Sequence, residues 1–418
     1  MMNLHKKMEE MLLKRHTHIS MHVPGHKNNT IGYLSSLHLD FDMTEIDGMD
    51  DLHEPTGILQ EVNQTLSGKY PGYHAQMMVN GTTNGILSAV YAVSDQTERY
   101  FIVDSAHKSV YHALKLLNCK PVHIKSTEIV NRQLDSHDTI IITYPTYSGE
   151  AIDISNIIQY AHNYGTTVIT DEAHGAHLDM APDFPKSSMK YDSDITIQSY
   201  HKMLPALTMA SVIFTKSRAL HDKVMKYVNY FETSSPSYLI MLSIESAQEF
   251  YDNFKPELFN KNRKKIIQTL KSREIIVKSQ NDPTKLILNH PSLTPYELAK
   301  VFTDRHIYHE MVTDRGVLWC LPLFHNGHSY PLRLLLERIG SADFSRVHIT
   351  PEKTNLEILK NRTCIRTIVP YPPGVPLVHE GETITDNHMN WLSHYVSNRV
   401  RMEGIQYNLE YYKNEDNR

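Results

Sequence analysis

At 418 residues, the chain is longer than one typical hydrophobic core, and its 40% hydrophobic content is enough to fill two domains. The formal net charge of −5 and the lack of a basic run argue against a nucleic-acid-binding surface. Three widely spaced cysteines fit neither a disulfide framework nor a zinc site, and no stretch reaches the roughly eighteen apolar residues of a membrane span. We therefore predict a soluble, cytoplasmic protein with no membrane partner.

Apolar periodicity and turn residues predict the elements in chain order. A short amphipathic lead-in helix is predicted over residues 3–15, and a polar, frayed tail is predicted from residue 408 onwards. The other predicted helices cover residues 56–66, 86–92, 109–116, 154–161, 216–228, 238–251, 256–271, 295–302 and 331–339. The predicted strands cover residues 99–103, 121–124, 139–143, 166–170, 195–198, 210–214, 285–288, 307–311 and 316–321.

Strands that alternate with helices predict an α/β fold with a mainly parallel sheet flanked by helices. Beyond about residue 275 the pattern changes to a smaller α+β arrangement. The predicted parts are a lead-in helix (1–20), a large domain (21–270), a small C-terminal domain (271–405) and a polar tail (406–418). Ligands of parallel sheets bind at the carboxyl ends of the strands, and the motifs described next follow such ends.

Lys202 follows a predicted strand and precedes Pro205, so the sequence places it on a loop at a strand end. Taken alone, a lysine in this position is most simply a solvated surface cation. An upstream strand, however, delivers Asp171 in the run Asp-Glu-Ala-His-Gly-Ala-His. Pyridoxal phosphate catalysis requires such a pair, because a lysine condenses with the cofactor aldehyde and a carboxylate keeps the ring nitrogen protonated. The pair therefore favours a pyridoxal 5'-phosphate site.

Three runs, at 171–177, 198–208 and 234–238, resemble signature blocks of the Orn/Lys/Arg decarboxylase family. This family belongs to the aspartate aminotransferase-like, fold type I pyridoxal phosphate enzymes. Further blocks agree in the same order: HVPGHK from His22, DDLHEPTG from Asp50, VNGTT from Val79, HKSV from His107, YPTY from Tyr144 and PYPPGVP from Pro370. The number and order of these blocks make the resemblance specific. Because only about twenty residues precede the first block, a short form without the family's N-terminal wing domain is expected.

The resemblance implies a role for each residue around the cofactor ring. Lys202 would form the Schiff base, and Asp171 would pair with the pyridinium nitrogen. His107 would stack on the face of the ring, and His174 would orient the ring oxygen or the carboxylate. His201 or Lys202 would return a proton to the substrate carbon after decarboxylation, and the sequence does not choose between them.

The turn before residue 86 contains Thr82 and Thr83 and suits a phosphate, because a helix N-terminus offers free N–H groups and a positive dipole end. As a bare pattern, the same residues could equally form a threonine N-cap without a ligand. The resemblance favours the phosphate. It implies that Ser199 and His201 complete the phosphate cup and that Ser234 or the adjacent Thr233 reaches in from a neighbouring subunit of a homodimer.

Two structural alternatives apply to the histidines of these motifs. His107 lies at a strand-to-helix corner, where a histidine is more often a cap than a catalytic group. His174 and His177 are three residues apart and could form a zinc site with Asp171, as in a hydrolase. The resemblance favours the cofactor roles, and we predict no metal.

Acidic residues are candidates for recognition of a basic substrate. Asp47 and Asp50 belong to a run of five carboxylates over residues 42–51, which is most simply a solvated acidic loop. They could instead face the site across a dimer interface and attract a basic amino acid. Glu382 follows the proline-rich block, in a run that resembles the family's Pro-Gly-Glu with Glu380 in place of the proline, so its contact with substrate is left open.

The function implied is α-decarboxylation of lysine, ornithine or arginine, which would yield CO2 and a polyamine-type amine. Two alternatives keep the fold. An aminotransferase or lyase would retain the cofactor, and an aminotransferase could bind the substrate carboxylate through Arg362 or Arg366. A non-catalytic binding protein would retain the fold alone, although the presence of Lys202, Asp171 and His107 argues against this alternative.

Overall fold

The computed structural model describes residues 19–42, 49–345, 355–371, 374–398 and 400–416. The predicted lead-in helix over residues 3–15 lies outside this part of the chain. The strands are β1 (Ile19–Met21), β2 (His74–Met78), β3 (Arg99–Val103), β4 (Val122–Ile124), β5 (Asp138–Thr143), β6 (Thr167–Glu172), β7 (Ile195–Ser199), β8 (Ser211–Thr215), β9 (Ile276–Ser279), β10 (Lys285–Asn289), β11 (Ile307–His309), β12 (Met311–Thr313), β13 (Gly316–Cys320), β14 (Val369–Pro370) and β15 (Met402–Glu403).

The first five α-helices in the described part of the chain lie between strands β1 to β8, and the others come later in the chain. The helices are α1 (Ile58–Ser67), α2 (Gly81–Ala92), α3 (Lys108–Leu116), α4 (Ile154–His162), α5 (Tyr200–Met203), α6 (Arg218–Phe231), α7 (Tyr238–Asn253), α8 (Pro256–Lys271), α9 (Pro295–Asp304), α10 (Leu332–Gly340), α11 (Asp386–Ser397) and α12 (Ile405–Asp416). No helix among these residues has the length and apolar character that crossing a membrane requires.

A seven-stranded sheet in the order β2-β8-β7-β6-β5-β3-β4 carries the first half of the chain. Strands β4, β3, β5, β6 and β7 run parallel, whereas β8 runs antiparallel to both β7 and β2. This topology confirms the predicted α/β fold with a mainly parallel sheet. The carboxyl ends of β5, β6 and β7 therefore lie side by side at one edge of the sheet.

Alternate side chains of the sheet pack against helices on its two faces. On one face, Ile102, Ile141 and Ile169 pack with apolar residues of α2, α3 and α6. On the other face, Phe101 and Ile140 pack with apolar residues of α4. Strands that are buried on both faces are continuously apolar, which explains why the sequence located most of them.

A second, antiparallel sheet in the order β12-β13-β10-β9 carries the region after residue 275. Its core includes Trp319, whose ring lies 4.7 Å from that of Phe302 on α9. Strand β1, near the start of the described chain, pairs in parallel with β11. The N-terminal segment thus joins the C-terminal half of the fold. The predicted domain limits stay a prediction.

The predicted frayed tail is wrong. Residues 405–416 form helix α12, in which Leu409 and Tyr412 are buried. Asn408 is fully buried and ties the helix down, because its Oδ1 accepts a hydrogen bond from Ile365 N at 2.7 Å and its Nδ2 donates to Arg366 O at 2.7 Å. The segment was predicted to be frayed because most of its residues are polar. Its few apolar residues are buried by parts of the chain that are distant in sequence, and the local sequence does not show these contacts.

Candidate active site

Lys202 lies on α5, a single helical turn that continues directly from β7, so the predicted loop is wrong at this position. The turn is closed by a hydrogen bond from Leu204 N to Tyr200 O at 2.9 Å, and Pro205 follows. A second hydrogen bond, from Gly25 N to His201 O at 2.8 Å, holds the turn from outside. The helical turn is therefore stabilised by a segment far away in sequence, which local patterns do not show.

Asp171 lies near the carboxyl end of β6, beside β7, and is 2% exposed. Its Oδ1 accepts a hydrogen bond from Ala173 N at 3.0 Å. Burial raises the pKa of Asp171, and the charge of Lys202 partly opposes this effect. Burial also lowers the pKa of Lys202, against the opposing charges of Asp171 and Glu310. The two predicted groups lie together, and the lysine loses its proton more readily than a solvated amine does.

Tyr147 and His174 form a wall next to Lys202. The Nζ of Lys202 lies 5.8 Å from the centre of the Tyr147 ring, and the His174 ring lies 4.9 Å from the same ring in an edge arrangement. His174 is 4% exposed, and burial lowers its pKa well below the ordinary value, so the imidazole is neutral at pH 7. Tyr147 was not predicted as a site residue, although it ends the Tyr-Pro-Thr-Tyr block.

Some of the residues predicted to form the phosphate cup lie together, although their binding of a phosphate stays a prediction. Helix α2 begins at Gly81, earlier than predicted, so Thr82 and Thr83 lie in its first turn, where backbone N–H groups lack helical partners. The Thr82 and Ser199 hydroxyls are 2.8 Å apart and both side chains are buried. Thr83 is exposed. The structure therefore brings two of the predicted hydroxyls together at a helix N-terminus.

His201 and the residues predicted to come from a partner subunit have different surroundings. His201 Nδ1 donates a hydrogen bond to Ala210 O at 3.1 Å, and burial lowers its pKa to about 4. Thr233 and Ser234 are exposed in the segment between α6 and α7. Their contact with a neighbouring subunit's cofactor stays a prediction.

His107 is the N-cap of α3, where its Nδ1 accepts a hydrogen bond from Ser109 N at 3.3 Å. A Cβ atom on Gly374, which has φ +84°, would lie 2.9 Å from His107 Nε2, so this glycine backbone lies directly against the ring. Burial, followed by the charge of Lys202, lowers the pKa of His107 to about 3. The His107 imidazole is therefore neutral and close enough to Lys202 to be affected by its charge. The stacking of His107 on a cofactor stays a prediction.

A group of buried and half-buried residues beside Lys202 was not predicted. Lys27 is 3% exposed and donates to the His22 carbonyl, and burial lowers its pKa to about 8. Glu310 accepts a hydrogen bond from Val23 N at 2.8 Å through its Oε2. Lys285 and Cys320 complete the group. The first of these lysines belongs to the Pro-Gly-His-Lys block, but nothing in the local sequence identifies the others.

The acids predicted to recognise substrate are placed differently from one another. Asp47 lies outside the described residues. Asp50 is buried, and its two carboxylate oxygens accept hydrogen bonds from four backbone N–H groups around the start of α1, those of residues 51, 56, 57 and 59. Glu382 is exposed, and its Oε2 accepts a hydrogen bond from His379 N at 2.7 Å. Substrate contacts of all three residues stay predictions.

We expect Asp50→Asn to destabilise the protein by about 1 kcal/mol, because an amide offers one acceptor oxygen where the carboxylate offers two. Burial alone would raise the pKa of Asp50, but the hydrogen bonds from backbone N–H groups lower it. The stabilisation should therefore be full above the unfolded-state pKa and should decline as the pH falls through the lower folded-state pKa. Urea unfolding between pH 2.5 and 7 measures this difference.

Asp51→Asn is the matched control for this prediction, since Asp51 is exposed and accepts a hydrogen bond only from His53 N among the described residues. Equal stability losses in the two variants would show that the hydrogen bonds to Asp50 do not stabilise the fold.

Gly25 sets the distance between the Pro-Gly-His-Lys segment and the turn that carries Lys202. A Cβ atom at this position would lie 2.5 Å from Leu204 O and 2.6 Å from Met203 O. We expect Gly25→Ala to lower the free energy of unfolding by about 1–3 kcal/mol and to weaken cofactor loading, because backbone on one side or the other must move. Thermal unfolding and the absorbance of bound cofactor measure the two effects.

Gly340→Ala provides the control, because a Cβ atom there meets no atom within 4 Å. Unchanged stability in Gly25→Ala would show that the close approach is not required.

The alternative sites suggested by the sequence do not assemble. His177 Nε2 lies 3.0 Å from Asp282 Oδ1, whereas His174 faces Lys285, and no metal-binding group of three His, Cys, Asp or Glu residues occurs in the described ranges. Arg362 and Arg366 stack on Tyr412 and Tyr407 of α12. Both arginines therefore lie against the C-terminal helix.

Comparisons with known proteins agree with this arrangement. The family model for "Orn/Lys/Arg decarboxylase, major domain" matches residues 10–134 and 128–309, and the model for "Orn/Lys/Arg decarboxylase, C-terminal domain" matches residues 339–413. Uncharacterized protein YaaO of Bacillus subtilis (strain 168) is 30% identical over 94% of each chain. An arginine decarboxylase of the same organism is 24% identical over 91% of each chain.

Two solved structures share the fold. The constitutive lysine decarboxylase of E. coli aligns with a TM-score of 0.62 and 18% identity, over 84% of this chain and 71% of that chain. A serine palmitoyltransferase from S. paucimobilis with bound PLP aligns with a TM-score of 0.54 and 14% identity, over 71% and 77% of the two chains. The fold is thus the predicted aspartate aminotransferase-like, fold type I architecture. With both family models matched along most of its length, the chain belongs to the Orn/Lys/Arg decarboxylase family.

Proposed function

We propose that this protein is a pyridoxal 5'-phosphate-dependent α-decarboxylase of a basic amino acid, namely lysine, ornithine or arginine. The observation that carries the proposal is the burial of Asp171 beside the amine of Lys202, at the carboxyl ends of adjacent parallel strands. Family membership and the arginine decarboxylase relatives support the reaction and the substrate class.

The residues fit pyridoxal phosphate on three counts. Asp171 is a buried carboxylate that a cationic ring nitrogen would neutralise, since an unpaired buried charge is costly. The amine of Lys202 is half-buried and has a lowered pKa, which favours attack on an aldehyde. The Thr82 and Ser199 hydroxyls and the first turn of α2 offer donors to a phosphate.

When bound, pyridoxal phosphate supplies an aldehyde carbon and a protonated ring that accepts the electron pair of the broken bond. Lys202 would hold the cofactor through its Nζ. Asp171 would keep a proton on the ring nitrogen, and Thr82 with Ser199 would bind the phosphate. His107 would lie against the ring. Lys202 or His201 would supply the proton that replaces CO2 on the substrate carbon.

We further propose a homodimer in which Thr233 or Ser234 of one subunit completes the phosphate cup of the other. Their exposure at the break between α6 and α7 is compatible with such a contact. We also propose a cytoplasmic location, which the free thiols of Cys119, Cys320 and Cys364 support. The amine product would be of the polyamine type.

The test is incubation of the purified protein with pyridoxal phosphate and each basic amino acid labelled with ¹³C in the α-carboxyl group. We expect labelled CO2 and one amine that is lighter than the substrate by the mass of CO2. A keto acid product would instead establish an aminotransferase. No product, with no absorbance from bound cofactor, would favour a binding protein of the same fold.

A further inference from the structure

Lys285 is a fully buried lysine whose polar contacts are unusual. It lies at the start of β10 with 0% of its surface exposed. Its Nζ donates to Cys320 Sγ at 2.9 Å and lies 3.3 Å from His174 Nδ1, so neither hydrogen-bond partner is a carboxylate. Because burying an ammonium group is costly, such a placement requires an explanation in the adjacent site.

The surrounding charges keep Lys285 protonated. Burial alone would lower the pKa of Lys285, but a hydrogen bond to Cys320 and the charges of Asp282 and Glu310 raise it. Burial raises the pKa of the Cys320 thiol to about 11, so this group is neutral at pH 7 and the two carboxylates supply the opposing charge. Lys27 and Lys202 are the nearby cations. The ammonium form of Lys285 is therefore the form that meets His174.

An ammonium group has three donors and no acceptor, so His174 Nδ1 must accept the hydrogen bond from Lys285. Burial, followed by the charges of Lys202 and Lys285, lowers the pKa of His174 well below its ordinary value, and the ring therefore carries a single proton. With Nδ1 unprotonated, that proton lies on Nε2. The far side of the His174 ring is thus a hydrogen-bond donor in the wall that Tyr147 shares with Lys202.

The aliphatic stem of Lys285 is held in this position by Gly149. A Cβ atom on Gly149, which has φ +89°, would lie 2.5 Å from Lys285 Cγ and 2.7 Å from its Cβ. The same glycine accepts a hydrogen bond from Asp282 N at 3.0 Å. The lysine therefore has little freedom to turn away from His174.

We infer that Lys285 is a positioning residue, which fixes His174 as an Nε2–H donor toward the ring oxygen of the cofactor held by Lys202. This inference rests on the proposed function in so far as the cofactor is pyridoxal phosphate. In a loaded site, the donor would favour the ionised ring oxygen, and Lys285 would act only through the histidine.

Nitrogen-15 NMR of the full-length, cofactor-free protein tests the tautomer directly, with the His174 signals assigned by their loss in His174→Gln. We expect His174 to carry its proton on Nε2 between pH 6 and 8. In Lys285→Met, which keeps the chain length and removes the donors, we expect a changed tautomer population. We also expect about tenfold weaker pyridoxal phosphate binding and a shifted absorption maximum of the bound cofactor.

Lys278→Met is the matched control, because Lys278 is exposed on the neighbouring strand β9. The inference is overturned if wild-type His174 carries its proton on Nδ1, a result that needs no variant to fold. It is also overturned if a folded Lys285→Met binds the cofactor as tightly and with the same spectrum as the wild type.

Failure of the proposed function gives a different result. A protein that shows the expected tautomer and the expected weakening in Lys285→Met, but releases no CO2 from basic amino acids, would keep the role of Lys285 and refute the decarboxylase.

Discussion

Replacing Lys202 with alanine is expected to abolish the absorption band of covalently bound pyridoxal phosphate and to lower kcat by at least about a thousandfold. The physical reason is that the Nζ of Lys202 is the amine that lies beside Asp171, Tyr147 and Glu310 in the buried site. Absorbance spectroscopy of the purified variant and a CO2-release assay measure the two effects separately.

Lys223→Ala controls for the loss of a positive charge. Lys223 is exposed on α6 and pairs with Asp95 at 3.1 Å, and an exposed pair of this kind contributes little to stability. If Lys202→Ala kept the cofactor band and the wild-type rate, another amine would carry the reaction and the proposed site would be wrong.

Replacing Asp171 with asparagine is expected to lower kcat by about a hundredfold to a thousandfold while leaving the fold intact. The amide oxygen can still accept the hydrogen bond from Ala173 N, but it carries no charge to keep the ring nitrogen protonated. A steady-state CO2 assay with saturating cofactor measures the loss. A variant within about threefold of the wild type would remove Asp171 from the mechanism.

The same substitution has an expected stability effect of opposite sign in the cofactor-free protein. Because burial raises the pKa of Asp171 above 3.8, the native state binds more protons than the unfolded state, and wild-type stability should fall as the pH rises above about 4. An asparagine side chain at this position does not titrate, so Asp171→Asn should lose less stability over this range. Chemical unfolding at pH 4 and at pH 7 gives the comparison.

The sequence predicted the parts of the site that lie within one stretch of chain or follow strand ends. Asp171 was found because its strand shows a buried-strand pattern, and Lys202 was found because it follows a strand in which Ile195 and Ile197 alternate with polar residues. Strand β2 was missed, because His74 and Gln76 interrupt its apolar pattern and the Asn63 and Leu52 contacts that satisfy Gln76 lie elsewhere in the chain. The sequence therefore predicted a strand only where the strand's own residues show a recognisable apolar pattern.

The residues missed at the site depend on contacts between distant segments. Lys285 and Cys320 belong to strands β10 and β13, and Lys285 reaches His174 from 111 residues away in sequence. The helical turn at Lys202 similarly depends on Gly25. The cap formed by Asp50 was not predicted, because a buried cap and a solvated acid look alike in sequence.

The parallel pairing of β1 with β11 has a consequence for the order in which the protein matures. Ile19 pairs with Ile307, so the segment that leads into Gly25 cannot dock until nearly three quarters of the chain has emerged from the ribosome. Glu310, which reaches Val23 and contributes to the field at Lys202, arrives with the same part of the chain. The surroundings of Lys202 are therefore complete only after nearly three quarters of the chain has been synthesised, so a cofactor that needs these surroundings would be bound late in translation.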